Sequence, residues 1–266
     1  MKPKIFITIL YLLLSLNAWS QSSDHNPRVL RILTFNILHG ATTKGNFDLD
    51  VIAKVINDAN PDFVALQEVD FKTNRAQKYD LVTELGYRTK MSPLFGTAMK
   101  FDGGEYGEGV LSKYSFLQTR NVTLPYSQGN EPRAALEITS VLSSGDTISF
   151  VGTHLDHLKD AKDRVAQVKK INEVFSLNKY PTILAGDLND VPRSEAIMEL
   201  EKIWNSSYDK SNPEATFPSD KPSVKIDYVL FYPKNRWRVL ATQVIQDAVA
   251  SDHCAYLVTL ELLNKN

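Results

Sequence analysis

Residues 182–189 read TILAGDLN, and this stretch gives the clearest indication of the fold. Thr182–Ala185 is a short apolar run with β-branched residues, which is typical of a buried strand. The polar residues Asp187 and Asn189 follow at once, so they stand where the strand ends. In α/β sheets, functional sites collect at the carboxyl ends of strands. The stretch therefore predicts an α/β domain with a polar site at one end of a sheet.

Similar apolar runs recur on both sides of this stretch and are also predicted to be strands. They are Val29–Phe35, Phe63–Leu66, Gly109–Leu111, Ala134–Ile138, Ile148–Val151, Ile226–Tyr232 and Tyr256–Leu262. Helical periodicity is clear in Asp48–Ala59 and Asp160–Leu177, and weaker in Tyr79–Leu85 and Ser194–Trp204. The polar stretches Met91–Glu108 and Asn205–Ser223 are predicted to be surface loops. This order of elements predicts a four-layer α/β/β/α sandwich of two mixed β-sheets flanked by helices.

The chain begins with a basic and then apolar segment. Lys2 and Lys4 precede the apolar run Ile5–Leu16, and Ala18 and Ser20 are small residues of the kind that a signal peptidase recognises. A run this short predicts a cleavable signal peptide over residues 1–20 rather than a membrane anchor. We therefore expect a secreted or periplasmic protein, with one catalytic domain over residues 28–264.

Charge and cysteine content narrow the classes of function. The formal net charge is −1, and it becomes −3 without the first 20 residues, which contain two lysines and no acid. Proteins that grip nucleic acid without sequence preference usually carry a basic surplus, which this chain lacks. Cys254 is the only cysteine, so an internal disulfide is excluded.

Acidic and imidazole side chains recur at the ends of the predicted strands. The set comprises Glu68, His154, Asp187, Asn189, Asp227, Asp252 and His253. Oxygen-rich ligation of this kind suits Mg²⁺, with Mn²⁺ as the alternative, better than zinc. A cation, a carboxylate that activates water and donors around a phosphoryl group are the parts that phosphate-ester hydrolysis requires. The inventory predicts such a hydrolase.

The motifs resemble the endonuclease/exonuclease/phosphatase superfamily, which includes deoxyribonucleases, abasic-site endonucleases, sphingomyelinases and inositol-polyphosphate phosphatases. The resemblance runs from about Arg31 to Leu262, with the motifs in the family's order. They read LTFNILHG, DFVALQEVD, GGEYGEGVLSKY, EPRAALE, VGTHLDH, ILAGDLNDVP, TFPSDKPSVKIDYVLF and SDHCAYLVTLEL. GGEYG, EPR and TFPS most resemble a secreted bacterial branch of the family.

The resemblance implies a metal site and a reacting water. Glu68 would be the principal Mg²⁺ ligand, and Asn36 would position the phosphate or the metal's water shell. Asp252 would lie in the metal cluster. Asp187 would orient or deprotonate the attacking water, while Asn189 would hydrogen-bond a phosphate oxygen.

The resemblance also implies donors around the phosphate. His253 would bind the scissile phosphate or donate a proton, and Asp227 would fix its tautomer. His154 is similar to the second catalytic histidine of the deoxyribonuclease branch, and Glu108 resembles the carboxylate that holds this histidine. Arg133 and Tyr106 would complete the substrate-phosphate site, where Arg133 offers a planar fork suited to phosphate oxygens. A histidine beside a carboxylate keeps a raised pKa and can act as an acid near neutral pH.

Several residues have competing interpretations. His39 is either a site residue or a turn residue before Gly40. His157 is expected to be a loop residue, although His154 and His157 with Asp156 between them also permit a zinc hypothesis. Cys254 is expected to pack in the core. The aromatic ring of Phe217 lines a substrate pocket or pins its loop, and pinning is the default.

The substrate is left open by the sequence. We expect a phosphodiesterase first, with a phosphomonoesterase on inositol or sugar phosphates, or a lipid phosphodiesterase, as the alternatives to a nuclease. A binuclear metallophosphoesterase is disfavoured because its Gly-Asn-His motif is absent. An inactive binding protein is disfavoured because Glu68, Asp187 and His253 are all present. No protein partner is indicated, and a monomer is the default.

Overall fold

The computed structural model describes residues 28–264, so the predicted signal peptide lies outside the described residues. Twelve strands are described: β1 Val29–Asn36, β2 Phe63–Phe71, β3 Ser92–Phe101, β4 Gly104–Ser112, β5 Phe116–Leu124, β6 Arg133–Val141, β7 Thr147–His154, β8 Thr182–Asp187, β9 Asn205–Ser206, β10 Asp227–Tyr232, β11 Trp237–Ile245 and β12 Ala255–Leu262. The helices are α1 Leu49–Ala59, α2 Leu81–Thr89, α3 Lys162–Phe175 and α4 Glu195–Leu200. Two short 3₁₀ turns occupy Leu38–Gly40 and Lys234–Arg236.

The strands form two six-stranded sheets. The order in the first sheet is β11-β12-β1-β2-β4-β3, and the order in the second is β5-β6-β7-β8-β10-β9. Each sheet contains one parallel pair, β1 with β2 and β7 with β8, among antiparallel neighbours. The prediction of two mixed sheets is confirmed.

Three apolar clusters separate four layers. Ile32 and Phe150 belong to the cluster between the two sheets, where alternate residues of both sheets meet. Leu33, the next residue of β1, belongs instead to a cluster with α1 and α2. Leu184 of β8 packs with α3 and α4 in a third cluster. Because successive residues of a strand face opposite sides, both faces of the central strands are buried, and this explains their unbroken apolar sequences.

Helix α1 follows its sequence signals closely. The side chain of Asp48 accepts hydrogen bonds from the backbone N–H groups of Asp50 and Val51, at 3.0 and 3.4 Å. Asn60 ends the helix in the left-handed conformation, directly before Pro61. Ile52 and Ile56 lie on the buried face. None of the helices described between residues 28 and 264 is both long enough and apolar enough to span a membrane.

The main error of the sequence-based prediction concerns the sheet edges. Met91–Glu108 was predicted to be a loop, but most of it forms the β3–β4 hairpin. The strands β5, β9 and β11 were also missed. All four missed strands are edge strands of a sheet, and the eight predicted strands are the inner ones. Edge strands expose a face and an edge to solvent, so they carry polar residues and lack long apolar runs.

Candidate active site

The polar strand ends of both sheets meet at one end of the sandwich. Asn36 ends β1, and Glu68 lies in the neighbouring parallel strand β2. His154 ends β7, and it pairs with Asp187 at the end of the parallel strand β8. Since carboxyl ends of parallel strands lie at the same end of a sheet, each sheet contributes two of these side chains to one cleft.

A bulge in β2 sets the position of Glu68. The pairing of β2 with β4 shifts register between Leu66 and Val69, so two residues of β2 oppose Glu108 of β4. Glu68 has a φ of 56°, in the left-handed region that non-glycine residues seldom adopt. Bulges re-aim a side chain in this way. Burial opposes ionisation, but hydrogen bonds and charge from His39, His154 and Asn36 outweigh it and lower the pKa of Glu68 to about 2.

Asn36 connects carboxylates of the two sheets. Its Nδ2 donates to Glu68 Oε1 at 3.2 Å and to Asp187 Oδ2 at 3.3 Å. Its Oδ1 accepts the backbone N–H of Leu38 at 3.1 Å, so this oxygen already has a donor. Asn36 therefore positions the carboxylates of Glu68 and Asp187. Its contact with a metal or a phosphate stays a prediction.

Asp227 and Asp187 face the two ring nitrogens of His253. Nδ1 lies 3.2 Å from both carboxylate oxygens of Asp227, and Nε2 lies 3.7 Å from Asp187 Oδ2. Burial alone would lower the pKa of His253, but the Asp227 carboxylate raises it to about 10. The imidazole is therefore protonated near neutral pH. Burial raises the pKa of Asp187, and the charge of His253 offsets part of that rise.

The pKa of His154 shifts in the direction opposite to that of His253. Burial and the neighbouring charge of Arg133 lower the pKa of His154 well below its usual value. Arg133 Nη1 lies 3.3 Å from His154 Nδ1, and Asn189 Nδ2 lies 2.9 Å from Nε2. A doubly protonated ring would direct an N–H at each of these donors, so a neutral imidazole fits the site. The pKa of His154 is thus lowered, whereas that of His253, which lies against the Asp227 carboxylate, is raised.

The predicted contact between Glu108 and His154 is not formed. Both carboxylate oxygens of Glu108 are buried and have no hydrogen-bond partner among the described residues. Burial is the main reason that the pKa of Glu108 rises to about 8. Arg133, and not Glu108, lies against His154 Nδ1.

Arg133 lies on the cleft wall and is almost fully buried. Its Nη1 donates to the hydroxyl of Tyr106 at 3.4 Å, and its Nη2 lies 3.2 Å from Nδ1 of His157 and 2.9 Å from Glu131. The Nε atom has no partner among the described residues. This fixed fork suits the predicted role of Arg133 in binding phosphate oxygens.

The structure also shows where the residues with competing interpretations lie. His39 Nδ1 lies 3.4 Å from Glu68 Oε2, which makes it a neighbour of the site as well as a turn residue. His157 is a loop residue as expected, but it also lines the cleft. Phe217 lines the cleft too, and its ring centroid lies 4.8 Å from that of His253. The expectation that its ring only pins the loop was therefore incomplete. Cys254 is buried, as predicted.

A turn at the end of β8 sets the position of Asn189. Asn189, two residues after Asp187, does not continue the extended conformation of β8, because its φ is 50°. Its backbone N–H donates to Asp187 Oδ1 at 2.9 Å, which is an Asx turn. The turn brings the amide of Asn189 to His154 and to the carbonyl of Leu155, at 3.0 Å from the latter.

Sequence reasoning missed five residues that line the cleft: Arg75, Met99, Phe101, Glu131 and Ile226. Met99 and Phe101 lie in the segment predicted to be a loop. Arg75 lies between β2 and α2, where no strand end or motif singled it out. Only Glu131 and Ile226 stood within quoted motifs, in EPRAALE and in the segment that ends at Phe231.

The cleft has a volume of about 360 Å³, and its donor set fits a divalent cation. Asp187, Asp227 and His253 have ligand atoms within 4.8 Å of one another. Asp227 and His253 bind each other, however. The oxygens available to ligate a cation are therefore those of Glu68 and Asp187, and Asp252 lines the same cleft. Carboxylate oxygens without thiolate ligands are the donors that Mg²⁺ and Mn²⁺ prefer.

Comparisons with known proteins identify the family and the fold of the chain. A family model described as "Endonuclease/Exonuclease/phosphatase family" matches residues 33–253. An endonuclease/exonuclease/phosphatase structure from Beutenbergia cavernae has 24% identity and a TM-score of 0.70, and the match covers 88% of this chain and 72% of that one. One from Bacteroides vulgatus has 22% identity and a TM-score of 0.70, over 88% and 99% of the two chains. A mannosyl-6-phosphatase from Bacteroides thetaiotaomicron has 18% identity and a TM-score of 0.70, over 87% and 99%. At these identities, the structural matches show a shared fold.

Proposed function

The chain belongs to the endonuclease/exonuclease/phosphatase family, and from this premise we propose that it is a Mg²⁺-dependent hydrolase that cleaves a small phosphate ester by direct attack of water. One observation carries the proposal. A continuous set of contacts in a single cleft joins side chains from both sheets, namely Glu68, Asn36, Asp187, His253 and Asp227.

Glu68 and Asp187 would hold the cation, with Asp252 at the cleft wall. A bound divalent cation would offset the negative charge that develops on the phosphoryl oxygens. Mg²⁺ is proposed because the donors are oxygens, and Mn²⁺ is the alternative. The metal identity rests on donor chemistry.

The chain's own residues supply the remaining parts of the reaction. Asp187 orients the water and takes its proton, because it is the buried carboxylate faced by both imidazoles. His253, protonated at neutral pH, donates from Nε2 to a phosphoryl oxygen while Asp227 holds Nδ1. Arg133 and Asn189 bind further oxygens of the phosphoryl group. The P–O bond to the leaving group breaks and a new P–O bond to the water oxygen forms. The leaving oxygen takes a proton from solvent, and Asp187 returns to solvent the proton that it accepted from the attacking water.

The size of the cleft favours a small ester. A volume of about 360 Å³ is at the lower end of the range for small-molecule sites, which is about 300–1,000 Å³. Among the alternatives that the sequence left open, this favours a phosphate ester of a sugar or similar compound over the phosphodiester that was expected first. We further propose export through the signal peptide at residues 1–20, and action as a monomer.

Mutation of the two carboxylates tests the hydrolase. We expect para-nitrophenyl phosphate to be turned over with Mg²⁺ and not after chelation with EDTA. Glu68→Gln and Asp187→Asn should each lower kcat by about 10²–10⁴-fold, the range for loss of a general acid or base. Asp58→Asn is the matched control, because Asp58 is an exposed carboxylate whose partner is Lys54. Equal rates for all four proteins would refute the proposal.

A substrate panel separates the classes of ester. It contains a hexose 6-phosphate, an inositol phosphate, sphingomyelin, and single- and double-stranded DNA, each with Mg²⁺. The proposal predicts the highest kcat/KM for a small ester. If DNA were hydrolysed fastest, the hydrolase would stand but the small-substrate assignment would be wrong.

A further inference from the structure

Arg75 is a cleft residue that the proposed chemistry does not use. It comes from the segment between β2 and α2, and about a third of its side chain is exposed. Nε and Nη2 donate to the two oxygens of Asp70, at 2.6 and 2.9 Å. Asp70 is itself fully buried and also accepts the hydroxyl of Thr73 at 2.6 Å. A bidentate pair with a buried, fixed carboxylate holds the guanidinium in one orientation.

Two aromatic rings complete the support of Arg75. Its guanidinium carbon lies 4.5 Å from the ring centroid of Phe101 and 5.7 Å from that of Tyr106. No hydrogen bond joins Nη1 to any residue between 28 and 264. Arg75 therefore presents a preorganised donor at the cleft, on the side formed by the β3–β4 hairpin.

The charges of the cleft are already matched. Within the described lining, Arg75 and Arg133 are the arginines, and lysine is absent. Arg75 is paired with Asp70, Arg133 with Glu131 at 2.9 Å, and His253 with Asp227. The described lining thus holds no unmatched cation for a second phosphate or for a polyanionic chain, and a bound Mg²⁺ would supply the additional positive charge for the scissile phosphate.

The remaining lining suits an uncharged, hydroxyl-bearing ring. Phe101, Met99 and Phe217 supply partly exposed apolar surface around the cleft. Arg75 Nη1 is a hydrogen-bond donor, and the Glu131 carboxylate, 45% exposed, is an acceptor on another part of the wall. A sugar or polyol ring has apolar faces and hydroxyl groups that both donate and accept.

We propose that Arg75, positioned by Asp70 and Phe101, recognises the leaving group of the substrate, and that this group is a neutral hydroxylated ring such as a sugar. This inference rests on the proposed phosphate-ester hydrolysis and names the part of the cleft that selects its substrate. The scissile phosphate stays with Arg133, His253 and the cation. Arg75 binds a hydroxyl oxygen of the ring.

The test compares an ester with hydroxyl groups and one without them. The substrates are a hexose 6-phosphate and para-nitrophenyl phosphate, both with Mg²⁺. Arg75→Lys keeps the charge beside Asp70 but loses the planar fork. The double variant Asp70→Asn/Arg75→Met removes both charges, so that no buried carboxylate is left unpaired. Arg238→Met is the control, because Arg238 is an exposed arginine on β11.

Loss of a hydrogen bond to a hydroxyl should lower kcat/KM for the hexose phosphate by about tenfold, mainly through KM. Turnover of para-nitrophenyl phosphate and inhibition by inorganic phosphate should change less than about threefold, since neither involves the ring hydroxyls. A thermal melt of each variant confirms folding. An equal loss on both substrates, or no loss on either, would overturn the assignment of Arg75. Faster hydrolysis of a hexose bisphosphate than of the monophosphate would overturn the neutral leaving group.

The two proposals fail in different ways. If the wild-type protein hydrolyses neither ester with Mg²⁺, the proposed function fails and the Arg75 inference falls with it. If it hydrolyses para-nitrophenyl phosphate but the Arg75 variants show no substrate selectivity, only the present inference is wrong.

Discussion

At the scale of single residues, two histidines in different charge states lie near the same oxygen of Asp187. His154 Nε2 and His253 Nε2 lie 3.5 and 3.7 Å from Asp187 Oδ2. Burial lowers the pKa of both rings. At Nδ1, Arg133 lowers the pKa of His154 further, whereas Asp227 raises that of His253. One imidazole can therefore bind an anion while the other remains a neutral hydrogen-bonding group.

The buried carboxyl group of Glu108 makes the stability of the protein depend on pH. Its pKa rises from the usual 4.5 to about 8, chiefly because the carboxylate is buried. The unfolded chain releases the proton near pH 4.5 but the folded chain retains it, so Glu108 lowers the stability progressively between about pH 4.5 and 8. Glu108→Gln should remove this dependence. Between pH 5 and 7.5, the free energy of unfolding should fall by about 2–3 kcal/mol less in the variant than in the wild type.

Urea denaturation at the two pH values measures this difference. Comparing each protein with itself cancels the packing cost of the new amide. Glu105→Gln serves as control, because Glu105 lies on the same strand and its pKa is lowered instead of raised. Parallel pH curves for wild type and Glu108→Gln would show that Glu108 is already ionised in the folded protein.

At the scale of elements, the close approach of two strands aligns the site. Gly186 of β8 precedes Asp187, and it pairs with Thr153 of β7, which precedes His154. A Cβ atom at Gly186 would lie 2.0 Å from the carbonyl oxygen of Thr153. The backbone oxygen cannot move without separating β7 from β8. Glycine is therefore required for the distance between His154 and Asp187.

Gly186→Ala should consequently disturb both stability and catalysis. We expect the free energy of unfolding to fall by about 1–3 kcal/mol, the usual cost of overpacking. We also expect kcat to fall, because Asp187 and His154 would be displaced from each other. Gly152→Ala on β7 is the matched control, since its Cβ would meet Ala65 at an ordinary contact distance of 3.4 Å. Equal melting temperatures and rates for the two variants would contradict this account.

At the scale of the whole molecule, the site lies across the two sheets. Glu68 belongs to the first sheet and Asp187 to the second, and Asn36 bridges them. The apolar cluster between the sheets, which includes Phe63 and Phe150, sets how far apart the two carboxylates lie. A cation held by both would therefore stabilise the packing of one sheet against the other.

Mg²⁺ should accordingly raise the melting temperature. A ligand at 100 times its Kd stabilises a folded protein by about 2.7 kcal/mol. For a domain of this size, that corresponds to a rise of about 5–10 °C. Differential scanning calorimetry with and without Mg²⁺ checks the shift. Glu68→Gln should lose most of it, whereas Asp58→Asn should keep it. An undiminished shift in Glu68→Gln would exclude Glu68 as a ligand.

The sequence determined the inner part of the fold. The eight inner strands, α1 with its cap at Asp48, and the family of the chain all follow from local signals. Strands that are buried on both faces must be apolar throughout, and a helix end needs a capping side chain. Each of these requirements is visible within a few consecutive residues. The polar strand ends were visible for the same reason.

The tertiary structure alone decided the edges of the sheets and the environment of the site. The edge strands β3, β5, β9 and β11 are half-exposed, and their pairing partners lie elsewhere in the sheet. The bulge at Glu68 and the lowered pKa of His154 depend on groups that are distant in the chain, and so does the contact of Arg75 with Phe101. Burial and charge at these residues come from neighbours that only folding brings together, so no local pattern records them.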